Sequence, residues 1–93
     1  MEGLLGISDL SEIFKGNITS NSNLNDLGYG TYAYSATSLP QNTPTKKSGS
    51  VSTFNLNSTG NVKIQRVLDG DGSIYVRTRY NVENIWSEWI KIV

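Results

Sequence analysis

The chain has 93 residues, a formal net charge of zero, and neither cysteine nor histidine. Its length corresponds to one small domain with a limited core, and the missing residue types exclude disulfides, thiolate metal sites and a Ser-His triad. The balanced charge gives no global attraction to nucleic acid, and the apolar runs are too short for membrane insertion.

The first predicted element is a short helix over residues 7–15. Ser8 or Asp9 is the candidate N-cap, and Glu12 completes a capping box with Asp9. Apolar side chains at helical spacing form one stripe, made of Ile7, Leu10, Ile13 and Phe14. Because a helix this short is not stable alone in water, we expect the stripe to pack on the domain or to form an oligomer interface.

The polar, turn-rich residues 16–26 are typical of a linker or an exposed loop. We therefore divide the chain into a helix and linker over residues 1–22 and a β domain over residues 23–93. Strands are predicted at 28–34, 51–57, 61–68, 73–80 and 88–93, with a long loop over 35–50 and a tight Asp-Gly turn at 69–72. The expected fold is mainly β, an antiparallel meander or a compact β-sandwich with a short N-terminal helix.

The strand at 73–80 alternates between two rows of side chains. Ile74, Val76, Thr78 and Tyr80 form the row that is predicted to be buried, and Tyr75, Arg77 and Arg79 form the opposite row. Trp86 and Trp89 follow closely in sequence. Guanidinium groups and aromatic rings stack on each other or on a sugar ring. Two interpretations therefore stay open, a structural brace within the sheet and a surface that contacts a ligand.

Other motifs give no sign of catalysis or of a cofactor. The Asp-Gly repeat at 69–72 lacks the further oxygen ligands of a calcium loop. Nothing in the sequence brings Asp26, Glu83 and Glu88 together as a catalytic carboxylate pair. The basic residues beside aromatics are also found in RNA-binding sheets, but the net charge of zero argues against nucleic acid. We expect a non-enzymatic domain without metal or cofactor.

An ordered set of motifs extends from about residue 23 to the end. It consists of Leu24-Asn25-Asp26-Leu27, Gly30-Thr31-Tyr32, a proline-containing loop, Gly72-Ser73-Ile74-Tyr75-Val76-Arg77-Thr78, and Trp86-Ser87-Glu88-Trp89 before Ile90-Lys91-Ile92. In order and spacing this set resembles the knob-type domain of phage tail fibres and R-type pyocin tail fibres. The resemblance implies a location in a virion tail or tail-like particle, a trimeric fibre that contacts other tail or baseplate proteins, and attachment to a bacterial surface glycan.

The expected function is thus receptor binding by a tail-fibre or baseplate domain that recognises a bacterial surface saccharide. The candidate ligand-contact residues are Tyr75, Arg77, Arg79 and Trp89, together with Tyr29 and Tyr34. Trp86 is assigned to the core or to bracing. Two alternatives remain open, a structural spacer or adaptor that touches no sugar and a carbohydrate-binding module of a cell-wall enzyme.

Overall fold

The computed structural model describes residues 13–55, 62–80 and 85–93. These residues form one six-stranded sheet whose strands follow one another in chain order. The strands are β1 (Phe14–Asn17), β2 (Gly30–Tyr34), β3 (Gly49–Asn55), β4 (Val62–Asp69), β5 (Ile74–Tyr80) and β6 (Ile90–Lys91). Strands β2 to β6 pair as antiparallel neighbours. The prediction of a mainly β meander is confirmed, and the described strands do not form a second sheet that would make a sandwich.

Short 3₁₀ helices at Leu24–Asp26 and Ala36–Ser38 are the helical elements of the described residues. Among these residues, no helix has the length and the apolar character that crossing a bilayer requires.

The predicted N-terminal helix is wrong at its C-terminal end, where Phe14–Asn17 forms β1 and pairs in parallel with β2. Residues 7–12 lie outside the described residues, and with them Ile7 and Leu10. The Thr31 N–H donates to the Ile13 carbonyl oxygen at 2.9 Å. Since a short helix has little intrinsic stability, the backbone partners that β2 offers outweigh the helical pattern.

Gly30 allows β1 to approach β2 this closely. Its φ of +124° lies in a region of backbone conformation that residues with a side chain rarely adopt. A Cβ atom at this position would lie 2.6 Å from Lys15 Cγ and 3.1 Å from the Ile13 oxygen. Gly30 therefore begins β2 and permits its close pairing with β1.

The core lies on one face of the sheet, beneath the loops that join β1 to β2 and β2 to β3. Its buried residues are Leu24, Tyr34, Val51 and Val67, and Ile18, Leu27, Tyr32, Leu39, Tyr75 and Trp89 pack against them. Leu24 comes from the first loop and has no exposed surface. The two loops therefore cover the buried face of the sheet, as a second sheet does in a sandwich.

The predicted orientation of β5 is wrong. The row that contains Tyr75 and Arg77 faces the core, and the row that contains Ile74 and Val76 faces the opposite side. Both rows carry apolar or aromatic side chains, so the alternation alone did not decide which row was buried. Gln65, which lies opposite Arg77 on β4, supplies the polar partner that makes burial of the guanidinium possible.

The opposite face of the sheet, here called the open face, carries a continuous row across all six strands. Strand pairing aligns Phe14, Thr31, Ser52, Arg66, Val76 and Ile90 in this row. The adjacent row places Leu68 beside Ile74. The exposed fraction is 62% for Phe14, 51% for Leu68 and 60% for Ile90. In the isolated chain, this surface of apolar and polar side chains is thus exposed to solvent.

The predicted turn at residues 69–72 is confirmed and is anchored to the long loop. Gly72 N–H donates to the Asp69 carbonyl oxygen at 2.9 Å. Hydrogen bonds lower the pKa of Asp71 to about 2. The largest effect comes from the Ser73 N–H, and the next largest from the ammonium group of Lys47, which lies 3.0 Å from the carboxylate. The carboxylate of Asp69 is 3% exposed and accepts from the Thr45 hydroxyl. The hairpin turn therefore holds the loop that covers part of the core.

Candidate ligand-binding cleft

Arg77 lies between the two indole rings of the chain. Its Cζ atom is 4.5 Å from the centre of the Trp86 ring and 4.6 Å from the centre of the Trp89 ring. The residue is 5% exposed. We call Arg77, Trp86 and Trp89 the Trp–Arg clasp. Because each cation–π contact contributes about 0.5–2 kcal/mol, the clasp is a main contributor to holding the C-terminal segment on the sheet.

A chain of hydrogen bonds behind the clasp satisfies the buried guanidinium. Arg77 Nε and Nη2 both donate to Gln65 Oε1, at 2.9 and 2.7 Å. Gln65 Nε2 in turn donates to the Leu24 carbonyl oxygen at 2.5 Å and to Thr53 Oγ1 at 3.2 Å. Burial lowers the pKa of Arg77 to about 10, so the group stays charged at neutral pH.

The indole N–H groups tie the C-terminal segment to both core-covering loops. Trp86 Nε1 donates to the Asn25 carbonyl oxygen at 3.4 Å, and Trp89 Nε1 donates to the Asn42 carbonyl oxygen at 2.9 Å. The two loops are joined to each other, because Asn42 Nδ2 donates to Asn23 Oδ1 at 2.7 Å. Three separate parts of the chain therefore meet around the clasp.

These parts enclose a cleft of about 240 Å³. We call it the indole cleft; it is lined by the Trp–Arg clasp and by Asn25, Asn42, Thr43, Ser87 and Glu88. Asn25 Oδ1 is buried and has no hydrogen-bond partner among the described residues. Glu88 is exposed at the rim. Aromatic walls with polar groups between them form a surface that can take a small hydroxylated ligand.

The candidate contact residues do not form one surface. Arg77 and Trp89 line the indole cleft, whereas Tyr75 packs against the core. Tyr34 is 5% exposed. Tyr29 lies elsewhere, where its hydroxyl donates to Asn55 Oδ1 at 2.7 Å and the Lys63 ammonium lies 5.2 Å from its ring centre.

Arg79 lies next to the clasp, beside Trp86. Arg79 Cζ is 5.8 Å from the centre of the Trp86 ring, and the two residues form an antiparallel bridge. The Thr78 N–H donates to Ser87 Oγ at 3.0 Å. These contacts continue the pairing of β5 beyond the clasp, and Trp86 has the bracing position that the sequence assigned to it.

The sequence did not identify five residues that line the cleft, Asn25, Asn42, Thr43, Ser87 and Glu88. A partial signal existed for three of them. Asn25 belongs to the Leu-Asn-Asp-Leu motif, and Ser87 and Glu88 separate the two tryptophans. Asn42 and Thr43 lie in the long loop, and no local pattern distinguishes them from its other polar residues.

A second depression, of about 400 Å³, lies on the open face. Thr31, Ser50 and Ser52 form its small-residue floor, and Arg66, Leu68 and Ile74 surround it. The Arg66 guanidinium lies 5.9 Å from the centre of the Phe54 ring. None of the candidate ligand-contact residues lines this depression.

Solved structures of R-type pyocin tail fibres share this fold. An N-truncated R2-type pyocin tail fibre matches 85% of the chain at 26% identity with a TM-score of 0.69. The R2 pyocin fibre of P. aeruginosa, comprising C-terminal residues 323–691, matches 96% of the chain at 26% identity with a TM-score of 0.71. The resemblance to phage and pyocin tail-fibre domains that the sequence motifs indicated is confirmed by this likeness. The predicted localisation in a virion tail or tail-like particle is confirmed by the same likeness.

The R1 pyocin fibre of P. aeruginosa matches 85% of the chain at 21% identity with a TM-score of 0.69, which shows a shared fold. The chain spans 32%, 24% and 21% of the three pyocin chains. No protein-family model and no curated protein matches it.

The Trp–Arg clasp predicts the effect of Arg77→Lys on the stability of this domain. Lysine keeps the charge but loses the planar fork that bonds Gln65 and stacks on both rings. We expect the free energy of unfolding to fall by about 2–4 kcal/mol, measured by urea denaturation. The matched control is Arg66→Lys on the open face, where we expect a change below about 0.5 kcal/mol. Equal losses for the two variants would contradict the role of the clasp.

Proposed function

We propose that this domain attaches a phage tail fibre or tail-like particle to bacterial surface saccharide through the indole cleft, without catalysing a reaction. The observation that carries the proposal is the geometry of the cleft. Two indole walls lie beside exposed and buried polar groups, and the whole arrangement is built on a rigid sheet. The fold likeness to pyocin tail fibres supports the setting.

The clasp and the rim have different roles in this proposal. Arg77 is buried and bonded to Gln65, so we assign it to bracing and to fixing the angle of the two rings. Trp89 and the rim residues Asn42 and Glu88 make the contacts with the sugar. Tyr75 is assigned to the core, because it packs against the buried cluster as Trp89 does.

A cleft of this size binds a short saccharide weakly. We expect a dissociation constant near 1 mM for one copy, which corresponds to about −4 kcal/mol. Several copies on one particle raise the overall affinity by orders of magnitude without a new contact. Weak binding by a single domain is therefore compatible with firm adsorption of a whole particle.

The substitution Glu88→Arg tests the site, because a long side chain at the rim obstructs the cleft. We expect adsorption of particles or multivalent fibres to host cells to fall at least about tenfold. The melting temperature should change little, since Glu88 is exposed. Val93→Arg is the control, because it adds the same long cationic side chain at a residue that is 65% exposed and does not line the cleft.

Normal adsorption by the Glu88→Arg fibre, with the control also normal, would contradict saccharide binding at the cleft. That result would favour the second candidate function, a structural spacer in the fibre. The clasp itself supports the spacer role, because bracing the C-terminal segment is useful in a rod that carries load and binds no sugar.

We also propose that the domain works as a homo-oligomer, the trimer that the tail-fibre resemblance implies, and that neighbouring subunits cover the open face. The open face carries large apolar side chains on β1, β4 and β6, including Phe14, Leu68 and Ile90. Patches of this kind on small domains mark interaction surfaces. Ile13 is 49% exposed beside Phe14, so these two members of the predicted interface stripe extend the same surface.

The pair of substitutions Leu68→Asp and Ile90→Asp tests this interface. Buried in a subunit contact, the two carboxylates would be desolvated without partners. We expect the oligomer to dissociate in sedimentation equilibrium, with the strand signal in circular dichroism retained. Ile85→Asp is the control, because Ile85 is 66% exposed but lies outside the six strands. An oligomer that survives the pair of substitutions would overturn this interface.

A further inference from the structure

We infer that the indole cleft selects a saccharide unit that donates hydrogen bonds, and that an amino sugar binds there more tightly than a uronic acid. The inference rests on the proposed saccharide binding at the same cleft. It goes further by naming the chemical class of the sugar. The argument follows from which polar atoms around the cleft are already engaged within the domain.

The hydrogen-bond donors of the cleft are mostly engaged. Both indole N–H groups donate to loop carbonyl oxygens. The Thr43 hydroxyl donates to the Thr45 carbonyl oxygen at 2.6 Å, and the Ser87 hydroxyl donates to the Glu88 carbonyl oxygen at 3.2 Å. Arg77 uses Nε and Nη2 on Gln65. A ligand that offers only acceptors therefore finds few partners among the lining residues.

Asn25 Oδ1 and the Glu88 carboxylate are acceptors of the cleft that remain for a ligand. Asn25 Oδ1 is buried without a partner among the described residues. A small rotation of the side chain toward the cleft brings this oxygen within reach of a ligand hydrogen, which relieves the desolvation penalty of a buried unpaired acceptor. The Glu88 carboxylate stands at the exposed rim, and a carboxylate group accepts hydrogen bonds without donating any. Sugar hydroxyl and ammonium groups supply the donors that both positions lack.

The charges of the residues that line the cleft also favour an amino sugar over a uronic acid. The positive charge of Arg77 is 5% exposed and covered on both sides by indole rings. Among the lining residues, Glu88 carries the exposed charge. Indole faces also attract cations through their quadrupole. A sugar carboxylate entering the cleft meets the Glu88 carboxylate, whereas a sugar ammonium pairs with it.

Three oligosaccharides that share one glucan backbone test the inference. They are a cello-oligosaccharide, a fully deacetylated chitosan oligosaccharide, and a cello-oligosaccharide whose primary alcohols have been oxidised to carboxylates. The full chain is displayed in several copies on a biosensor surface, so that weak binding is measurable. We expect the amino form to bind best and the carboxylated form worst, with about a tenfold difference between the two.

Two variants identify the residues responsible. Glu88→Gln should reduce the preference for the amino form severalfold, and Asp71→Asn, which removes one negative charge at the hairpin turn, should leave it unchanged. Asn25→Ala should weaken all three sugars by about fivefold, because a hydrogen bond to a neutral acceptor is lost from each. The melting temperature of each variant shows whether the fold is intact.

Equal affinity for the three sugars, tighter binding of the carboxylated form, or no binding of any of them overturns the inference. The proposed function fails separately. If Glu88→Arg abolishes adsorption to host cells while the three oligosaccharides bind alike, the cleft is a receptor site without the selectivity inferred here. If adsorption is also unaffected, both proposals fail.

Discussion

The buried guanidinium of Arg77 is the group on which the arrangement of this domain depends. A charge that is removed from water needs partners on every side. Gln65 supplies them within the sheet, and the two indole rings cover the remaining faces. Because Gln65 also bonds the Leu24 carbonyl oxygen, the same chain of contacts fixes the loop that covers the core. The C-terminal segment, the first loop and the sheet are thus held by one shared network.

The clasp compensates for a β6 of only two residues, Ile90–Lys91. Such a short strand makes few backbone hydrogen bonds, and the indole contacts to Asn25 and Asn42 add the connections that it lacks. The indole cleft arises as a consequence, since the rings that hold the segment in place also form walls. Structural bracing and a candidate binding surface therefore use the same residues, and the sequence alone left these two interpretations open.

The sequence predicted the elements that local chemistry determines. The Asp-Gly turn at 69–72 and the strands on both sides of it needed no distant partner. The helix prediction is wrong at residues 14 and 15 because Phe14–Asn17 pairs in parallel with β2, and this contact is not visible in a local window. The predicted orientation of β5 is wrong because the buried row is determined by Gln65, which lies on another strand.

The cleft could not be predicted for a related reason. Asn25 lies 61 residues before Trp86 in sequence, and Asn42 lies 47 residues before Trp89. Polar residues in loops carry no periodic signal, so only the folded chain shows which of them meet. The tail-fibre motifs did identify the fold, since their order reflects the order of the strands in the sheet.

A double-mutant cycle between Arg77 and Gln65 tests the central claim most directly. The free energies of unfolding of Arg77→Met, Gln65→Met and the combined variant are compared with that of the parent domain. If the two groups satisfy each other in the interior, the combined variant is more stable than the sum of the single losses predicts, by about 1–3 kcal/mol. Losses that simply add would show that the two side chains are energetically independent, and the bond between Arg77 and Gln65 would not be the interaction that organises the domain.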